Sequence, residues 1–262
     1  MRILFVGDVV GKPGRQAVAA VVPRLRRERE IDLVIANGEN SAHGAGMTSA
    51  TVTELFSAGI DVLTSGDHVW DQKGFEQEID RHERVLRPLN FPAGTPGRGS
   101  VVVTVGDRFA VGVINAMGRV FMNPNCDCPF RSVEAEVVKL RRQTSVIFVD
   151  FHAEATSEKI ALARYLDGKV SMVVGTHTHV QTADEQVFPN GTAFLSDAGM
   201  CGPHESVLGR EIPAVIRRFT SQLPQKMEVA TGDVQLCGAL LEVDELSGKA
   251  RKVERVRIPV NS

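Results

Sequence analysis

Five strand-like segments of this chain each end in side chains that can bind a metal ion. The segments are ILFVGD, DLVIANGEN, DVLTSGDH, VIFVDFH and VSMVVGTHTH, and their terminal donors are Asp8, Glu39, Asn40, Asp67, His68, His152, His177 and His179. In open α/β sheets, ligands bind outside the carboxyl ends of the strands. The pattern therefore predicts an α/β fold in which distant segments assemble one metal-centred site, as in a metal-dependent hydrolase.

The length and charge of the chain set further bounds. A chain of 262 residues can build a substantial core and still fold as one unit, so we expect a single domain over residues 1–262. The net charge of −2 argues against a strongly basic nucleic-acid surface and against a polybasic membrane anchor. A small phosphorylated substrate held by metal is compatible with that charge.

The N-terminus and the cysteines indicate the compartment. The chain starts with the strand-like run MRILFVGDVVG, and Asp8 interrupts this apolar run too early for a signal peptide. Apolar runs elsewhere fall short of the ~18 residues that a membrane span needs. We therefore expect a cytoplasmic protein without membrane association, in which the four cysteines are reduced.

Short Val- and Ile-rich runs alternate with helical patterns in the first half, which indicates βαβ units with parallel strands. Helices are predicted at 11–30, with a kink or break at Pro23, and at 48–58, 72–82, 131–142, 156–168 and 211–222, the fifth with a threonine cap. Further strands are predicted at 100–105, 109–115, 192–196, 226–230, 234–243 and 251–259. Because the last three are consecutive, the C-terminal part should be antiparallel. We infer an α/β/β/α sandwich of two mixed β-sheets flanked by helices.

Each candidate donor also has an ordinary structural explanation. His177 and His179 lie two residues apart and would face one cluster from an extended segment, but they would also suit an exposed polar loop. Asp8 could cap the following helix, and His152 could be a core histidine with satisfied hydrogen bonds. Glu39 and Asn40 could form a polar turn after a strand. The coincidence of five such strand ends favours the metal-site interpretation.

Other motifs carry less weight. The run from Gly7 to Lys12 has the wrong glycine spacing for a phosphate-binding loop, and Pro13 stands where that motif needs Ser or Thr. Cys126 and Cys128 have no second cysteine pair at zinc-site spacing, so a thiol-bearing loop is the better interpretation. The loops 87–99 and 116–130 could rim the site. Trp70 suits core packing better than base stacking.

These residues resemble the calcineurin-like metallophosphoesterases, and more closely the YmdB-type branch of that superfamily. The matching motifs occur in the same order along most of the chain. They are GDVVGKPGR at 7–15, NGEN at 37–40, GDHVWD at 66–71, FHAEATSEK at 151–159, GTHTHVQTAD at 175–184 and SDAGMCGP at 196–203. The resemblance implies a two-sheet sandwich, a dinuclear metal centre, and hydrolysis of cyclic nucleotides such as 2′,3′-cyclic AMP or of related small phosphodiesters.

The resemblance also assigns roles to individual residues. Asp8, Glu39, Asn40 and His179 would hold one metal, and Glu39, Asp67, His152 and His177 the other, so that Glu39 bridges the two. The metals would be iron or manganese, with magnesium as a further candidate. A hydroxide bridging the metals would attack phosphorus, and His68 would be the catalytic imidazole. Apart from the resemblance, Asp150 and Glu154 lie beside His152 in the sequence, and either could orient its imidazole.

Two residues depart from the wider superfamily pattern. Val10 stands where the superfamily has the histidine of its Asp-x-His motif, and Asn40 would compensate. Asp67 replaces the asparagine of Gly-Asn-His and adds a negative charge to the centre.

Two other functions stay open at the sequence level. One is a phosphomonoesterase or nucleotidase on the same centre, and the other is a metal-binding regulator with slight hydrolytic activity. The expected partner is a small phosphodiester or cyclic nucleotide. An extended nucleic-acid surface is not evident because the sequence shows no basic-aromatic stripe. A homo-oligomer is compatible with the sequence.

Overall fold

The computed structural model describes residues 1–106 and 109–260 of the chain. The strands are β1 (Arg2–Val6), β2 (Asp8–Val9), β3 (Leu33–Asn37), β4 (Val62–Thr64), β5 (Ser100–Val105), β6 (Phe109–Met117), β7 (Val146–His152), β8 (Met172–Thr176), β9 (Gln186–Val187), β10 (Ala193–Leu195), β11 (Met200–Glu205), β12 (Gly232–Val243) and β13 (Ala250–Pro259). The helices are α1 (Gly11–Glu28), α2 (Ser49–Ser57), α3 (Pro129–Leu140), α4 (Thr156–Tyr165) and α5 (Ile212–Ser221).

The strands form two mixed sheets. The first has the order β2-β11-β12-β1-β3-β4, with β13 paired to β12, and the second has the order β5-β6-β7-β8-β10-β9. Strands β1, β3 and β4 are parallel in the first sheet, as are β6, β7, β8 and β10 in the second. Strand β12 pairs antiparallel with β1, β11 and β13. Parallel strands bring their carboxyl ends to a common edge, which is where the candidate donors lie.

Alternation along the strands builds three apolar layers. In β1, Ile3 and Phe5 face the core between the sheets, whereas Leu4 and Val6 pack toward α1 and α2. In β7, Phe148 faces the core between the sheets and stacks on Phe5, with the ring centroids 5.4 Å apart. Its neighbours Ile147 and Val149 join the third layer, beside α3 and α4. This order of helices, sheet, sheet and helices confirms the predicted α/β/β/α sandwich.

The same alternation carries polar side chains into the end of the core between the sheets. Asp150 and His152 share the face of Phe148 because side chains two apart on a strand point the same way. Asn37 on β3, Thr64 on β4 and Thr176 on β8 occupy the equivalent positions at the ends of their strands. All five are fully buried. The apolar layer between the sheets therefore ends in a group of buried polar side chains.

Several local predictions were wrong. Residues 72–82 form two separate turns of 3-10 helix, because Gly74 has a left-handed φ of 91° and only Phe75 and Ile79 are buried. Residues 226–230 contribute one isolated bridge, from Val229 to Arg210, in place of a strand. The helix α1 is one continuous element that includes Pro23.

Other differences concern short elements. The strands β2, β9 and β11 were not predicted, since β2 and β9 have two residues each and β11 contains Gly202 and Pro203, which disfavour strands. Thr156 is the first residue of α4 and does not cap it. Thr48 caps α2, since its side chain accepts a hydrogen bond from the backbone N–H of Thr51. Within the described residues, every helix is too short or too polar to span a bilayer.

Candidate metal centre

The two sheets bring the predicted donors together at their common edge. Asp8 starts β2, Glu39 and Asn40 follow β3, and Asp67 and His68 follow β4, all on the first sheet. His152 is the last residue of β7, and His177 and His179 follow β8, on the second sheet. The candidate ligands thus come from both sheets.

Four of these residues form a tight group. Glu39, Asp67, His152 and His177 each offer one ligand atom, and these atoms all lie within 4.8 Å of one another. The Nε2 atom of His152 lies 3.1 Å from Glu39 Oε1, 3.0 Å from Asp67 Oδ1 and 3.0 Å from His177 Nδ1. Convergence of two carboxylates and two imidazoles is the chemistry of a divalent transition-metal site.

The other three predicted ligands lie against this group. The Asn40 side-chain amide lies 3.2 Å from His179 Nε2 and 3.4 Å from Glu39 Oε1. Asp8 Oδ2 accepts a hydrogen bond from the His177 backbone N–H at 3.3 Å. His179 Nδ1 lies 3.1 Å from the Leu208 carbonyl oxygen. Because a carbonyl only accepts, Nδ1 carries the proton and the lone pair of His179 is on Nε2, which faces Asn40.

One atom tests directly whether this arrangement suits a cation. Asp8 is fully buried, and among the described residues its Oδ1 atom has no hydrogen-bond partner. An ionised carboxylate oxygen without a partner is costly in a protein interior, whereas a metal ligand needs none. Together with the donor set, this orphaned oxygen shows that the residues present fit a metal ion.

Electrostatics in the group are strongly perturbed. Burial raises the pKa of Asp8 to about 7, and the negative charge of Glu39 adds to that rise. Burial also opposes the ionisation of Asp67, but hydrogen bonds to His152 and His177 lower its pKa overall. The pKa of the buried His152 is raised because Glu39, Asp67 and Asp8 favour its cation over the effect of burial. Perturbed groups in such a cluster are typical of functional sites.

A buried relay below the cluster orients His152. Its Nδ1 atom lies 2.9 Å from Thr176 Oγ1, which donates at 2.8 Å to Asp150 Oδ1. Since the hydroxyl proton is used on Asp150, His152 donates through Nδ1, so Nε2 is the ring atom available to ligate a metal. Asp150 also accepts from Thr64 Oγ1 and from Asn37 Nδ2, so it links the two sheets. Burial raises the pKa of Asp150 to about 7.

Glu154 acts on a different imidazole from the one that the sequence indicated. Its Oε2 atom lies 3.2 Å from His177 Nε2, on the exposed side of the cluster. Asp150 thus reaches His152 through Thr176, and Glu154 contacts His177.

A buried ion pair supports the turn that carries the other two imidazoles. Lys159 Nζ lies 2.8 Å from Asp197 Oδ2, and both side chains are almost fully buried. The same Oδ2 atom accepts from the Thr178 backbone N–H at 3.0 Å and from its hydroxyl at 2.8 Å. Thr178 lies between His177 and His179, so the ion pair fixes both. This role of Lys159 and Asp197 was not predicted from the sequence, although both lie in the FHAEATSEK and SDAGMCGP motifs.

The geometry of this turn differs from the prediction. His177 and His179 have φ values of 102° and 63°, so the segment is not extended and the two rings do not share a face by strand alternation. Both rings nevertheless contact other candidate donors, His177 through Nδ1 to His152 and His179 through Nε2 to Asn40.

His68 occupies the open side of the cluster. Its side chain is 40% exposed, and its Nδ1 atom lies 2.7 Å from Asp71 Oδ2. Its backbone N–H donates to Glu39 Oε2 at 3.2 Å. Burial lowers the pKa of His68, but the charges of Glu39 and Asp67 and the bond to Asp71 outweigh that effect and raise it. Asp71 was missed as a partner, although the GDHVWD motif contains it.

The remaining sequence candidates lie elsewhere or have structural roles. Val10, and not Asp8, is the cap residue of α1. Trp70 packs against Phe91, with ring centroids 6.4 Å apart, as the core interpretation predicted. Cys126 and Cys128 are free thiols outside the four-residue metal group.

The sandwich and its cluster of carboxylates and imidazoles at the sheet edge define a metallophosphoesterase-like α/β protein. The chain belongs to the YmdB-like protein family, whose family model matches residues 4–256. This membership confirms the resemblance that the motifs indicated.

Comparison with individual proteins extends over almost the full length. A 2′,3′-cyclic-nucleotide 2′-phosphodiesterase from Bacillus subtilis (strain 168) is 46% identical over 98% of this chain and 97% of its own. A solved hypothetical protein from Thermus thermophilus is 39% identical, with a TM-score of 0.92 and 99% of each chain covered. A solved phosphatase from Mycoplasma pneumoniae is 35% identical, with a TM-score of 0.93 over 99% of this chain and 93% of that one.

Proposed function

We propose that this protein is a dinuclear metal-dependent phosphodiesterase that hydrolyses 2′,3′-cyclic nucleotides. The observation that carries the proposal is the convergence of Glu39, Asp67, His152 and His177 within 4.8 Å, next to the orphaned buried oxygen of Asp8. The substrate class is supported by the name of the Bacillus subtilis relative.

The donors divide into two sets that share Glu39. Asp8, Glu39, Asn40 and His179 would hold one ion, and Glu39, Asp67, His152 and His177 the other. Mixed oxygen and imidazole donors suit iron or manganese, and magnesium is the third candidate. When bound, a metal pair supplies Lewis-acid activation of the phosphodiester and of the attacking water.

The protein residues perform the remaining steps. The ligand set fixes the phosphate at the open side of the cluster, where His68 is exposed. Water adds to phosphorus, and the bond to one ester oxygen breaks to give a phosphomonoester. His68 gives its proton to the departing oxygen, and the raised direction of its pKa favours the protonated imidazole that this step needs. Asp71 holds the His68 ring through Nδ1, which leaves Nε2–H as the proton to be transferred.

One experiment tests the centre and the substrate together. The protein is purified without chelator, its metals are measured by mass spectrometry, and 2′,3′-cyclic AMP, 3′,5′-cyclic AMP and a phosphomonoester are assayed on the same sample. We expect about two ions per chain and chelator-sensitive activity that is highest on 2′,3′-cyclic AMP. His152→Ala, which removes a buried donor, is the matched inactive control.

The outcomes separate the alternatives. Preference for the phosphomonoester would favour a phosphatase on the same centre. A metal-free, inactive protein that cannot be reconstituted would contradict the proposal and favour the regulatory role.

A further inference from the structure

The loop 118–126, which we call the Phe121 loop, starts directly beside the metal centre. It follows β6, whose last residue, Met117, pairs with His152. The Gly118 backbone N–H then donates to the His152 carbonyl oxygen at 2.9 Å. A Cβ atom on Gly118 would lie 2.6 Å from that of Ala153, next to Glu154, which contacts His177 on the exposed side of the cluster. The loop therefore leaves the sheet at the open rim of the site.

The Phe121 loop is anchored at both ends. The Asn90 side-chain amide donates to the carbonyl oxygens of Met117 and Asp127 at 2.8 and 3.0 Å, and its Oδ1 accepts from the Met117 N–H at 2.9 Å. The buried carboxylate of Glu158 accepts from the N–H groups of Arg119 and Val120. Without these bonds the buried polar groups would have no partners, so the loop is held in one arrangement.

The middle of the loop is also fixed. Met122 and Cys126 pack against the apolar cluster that contains Val69, the residue after His68. The loop is thus attached on one side to the strand of His152 and on the other to the apolar layer of the first sheet.

The anchoring of the loop does not bury the Phe121 side chain. Its side chain is 84% exposed, and its φ of 62° is a left-handed conformation that a bulky residue rarely adopts. A residue that buries so little surface and holds an unfavourable backbone contributes little to the stability of the fold. Such conformations, kept by surrounding bonds, occur at ligand-binding sites.

Chain length limits how far the Phe121 ring can lie from the start of the loop beside the site. Phe121 is three residues from Gly118, so the two Cα atoms lie within about 11 Å of each other. A nucleotide whose phosphate lies on the ligand cluster extends its base away from the metals by the width of the ribose. Trp70, the other aromatic candidate, is occupied by Phe91 and the core.

We propose that Phe121 is the base-stacking residue of this site, so that the anchored loop selects nucleotides over cyclic phosphates that lack a base. The face of an aromatic ring stacks on any nucleobase, which gives affinity with little sequence preference. The inference rests on the proposed phosphodiesterase function, and it adds the part of the substrate that the metal ligands do not contact.

Paired substrates test the proposal. The metal-loaded wild type and Phe121→Ala are assayed on 2′,3′-cyclic AMP and on glycerol 1,2-cyclic phosphate, which has the same five-membered phosphodiester ring without a base. We expect KM for 2′,3′-cyclic AMP to rise about tenfold with kcat nearly unchanged, as for the loss of one stacking contact. Activity on glycerol cyclic phosphate should not change. Phe121→Trp, which keeps an aromatic ring, should show a KM for 2′,3′-cyclic AMP close to that of the wild type.

The matched control is Leu246→Ala. Leu246 is 83% exposed, close to the value for Phe121, but it lies in the turn between β12 and β13, at the opposite end of the first sheet from Asp8. This variant should behave as the wild type on both compounds.

The outcomes are distinguishable. The stacking role would be overturned if Phe121→Ala lost activity equally on both substrates, or if its KM for 2′,3′-cyclic AMP were unchanged. Either result would leave the phosphodiesterase proposal standing. Failure of the metal-loaded wild type to hydrolyse either compound would contradict both proposals.

Discussion

At the scale of single residues, two histidines of the candidate site differ sharply in exposure. His152 is fully buried and held by Thr176, whereas the side chain of His68 is 40% exposed and touches the ligand set only through its backbone N–H. A group that is not needed to assemble the metal centre can be removed without dismantling it. The two histidines should therefore respond differently to substitution.

His68→Ala should keep the metals and lose turnover by roughly a hundredfold or more, because the departing oxygen loses its proton donor. Metal content by mass spectrometry and kcat on 2′,3′-cyclic AMP are measured on the same preparation. Asp71→Asn removes the carboxylate that holds the His68 ring but leaves the imidazole in place. It should therefore give a smaller loss of kcat. A His68→Ala variant with nearly full kcat would show that the imidazole has no catalytic part.

Asp67 tests the charge of the centre. Asp8, Glu39 and Asp67 together bring a charge of about −3, and Asp67→Asn reduces it to about −2 while keeping an oxygen donor. We expect weaker metal binding, because one anionic ligand is lost, and a lower KM, because an anionic phosphate is repelled less. Chelator competition and steady-state kinetics measure the two effects. If both quantities match those of the wild type, the charge argument is wrong.

At the scale of elements, the His177–His179 turn depends on the segment behind it. Left-handed backbone at two neighbouring histidines is unfavourable, and the turn keeps it through the bonds of Thr178 to Asp197. Asp197 is in turn held by Lys159 of α4. A helix on the outside of the second sheet thus supports the turn that carries two candidate ligands at its edge.

Thr178→Val should weaken metal binding about tenfold, the usual effect of losing a support behind a metal ligand. The substitution keeps the shape of the side chain and removes only the hydroxyl donor. Metal affinity is measured by chelator competition, and the melting temperature of the metal-free protein is the control, since it should change little. Unchanged affinity would show that the backbone bond alone holds the turn.

The sequence was sufficient for most of the architecture and for the meeting of the candidate donors at one edge of the sheets. Strand ends rich in Val and Ile followed by Asp, Glu or His are local patterns, and parallel pairing takes them to one edge. The ion pair that supports the His177–His179 turn was not predictable, because Lys159 and Asp197 are 38 residues apart and meet only in the fold. The positive φ of His177 and His179 also depends on such distant bonds. The short strand β11 was missed because its pairing with β2 and β12 outweighs the poor propensity of Gly202 and Pro203.

At the scale of the whole molecule, the candidate centre joins the two sheets. Asp8, Glu39, Asn40 and Asp67 belong to the first sheet, and His152, His177 and His179 to the second. Below them the sheets meet through apolar contacts and the bonds of Asp150. Single-domain organisation, a cytoplasmic location and the oligomeric state stay predictions.

Metal removal should accordingly destabilise the whole fold. A ligand that binds only the native state stabilises it by about 2.7 kcal/mol at a hundredfold excess over Kd, and at this chain length 1 kcal/mol corresponds to roughly 2–4 °C. We expect chelation to lower the melting temperature by roughly 5–10 °C, measured by calorimetry. Glu39→Gln is the matched control, because it removes the carboxylate shared by both donor sets. Its melting temperature should not respond to chelator, and a response equal to that of the wild type would show that the stabilising ions bind outside this centre.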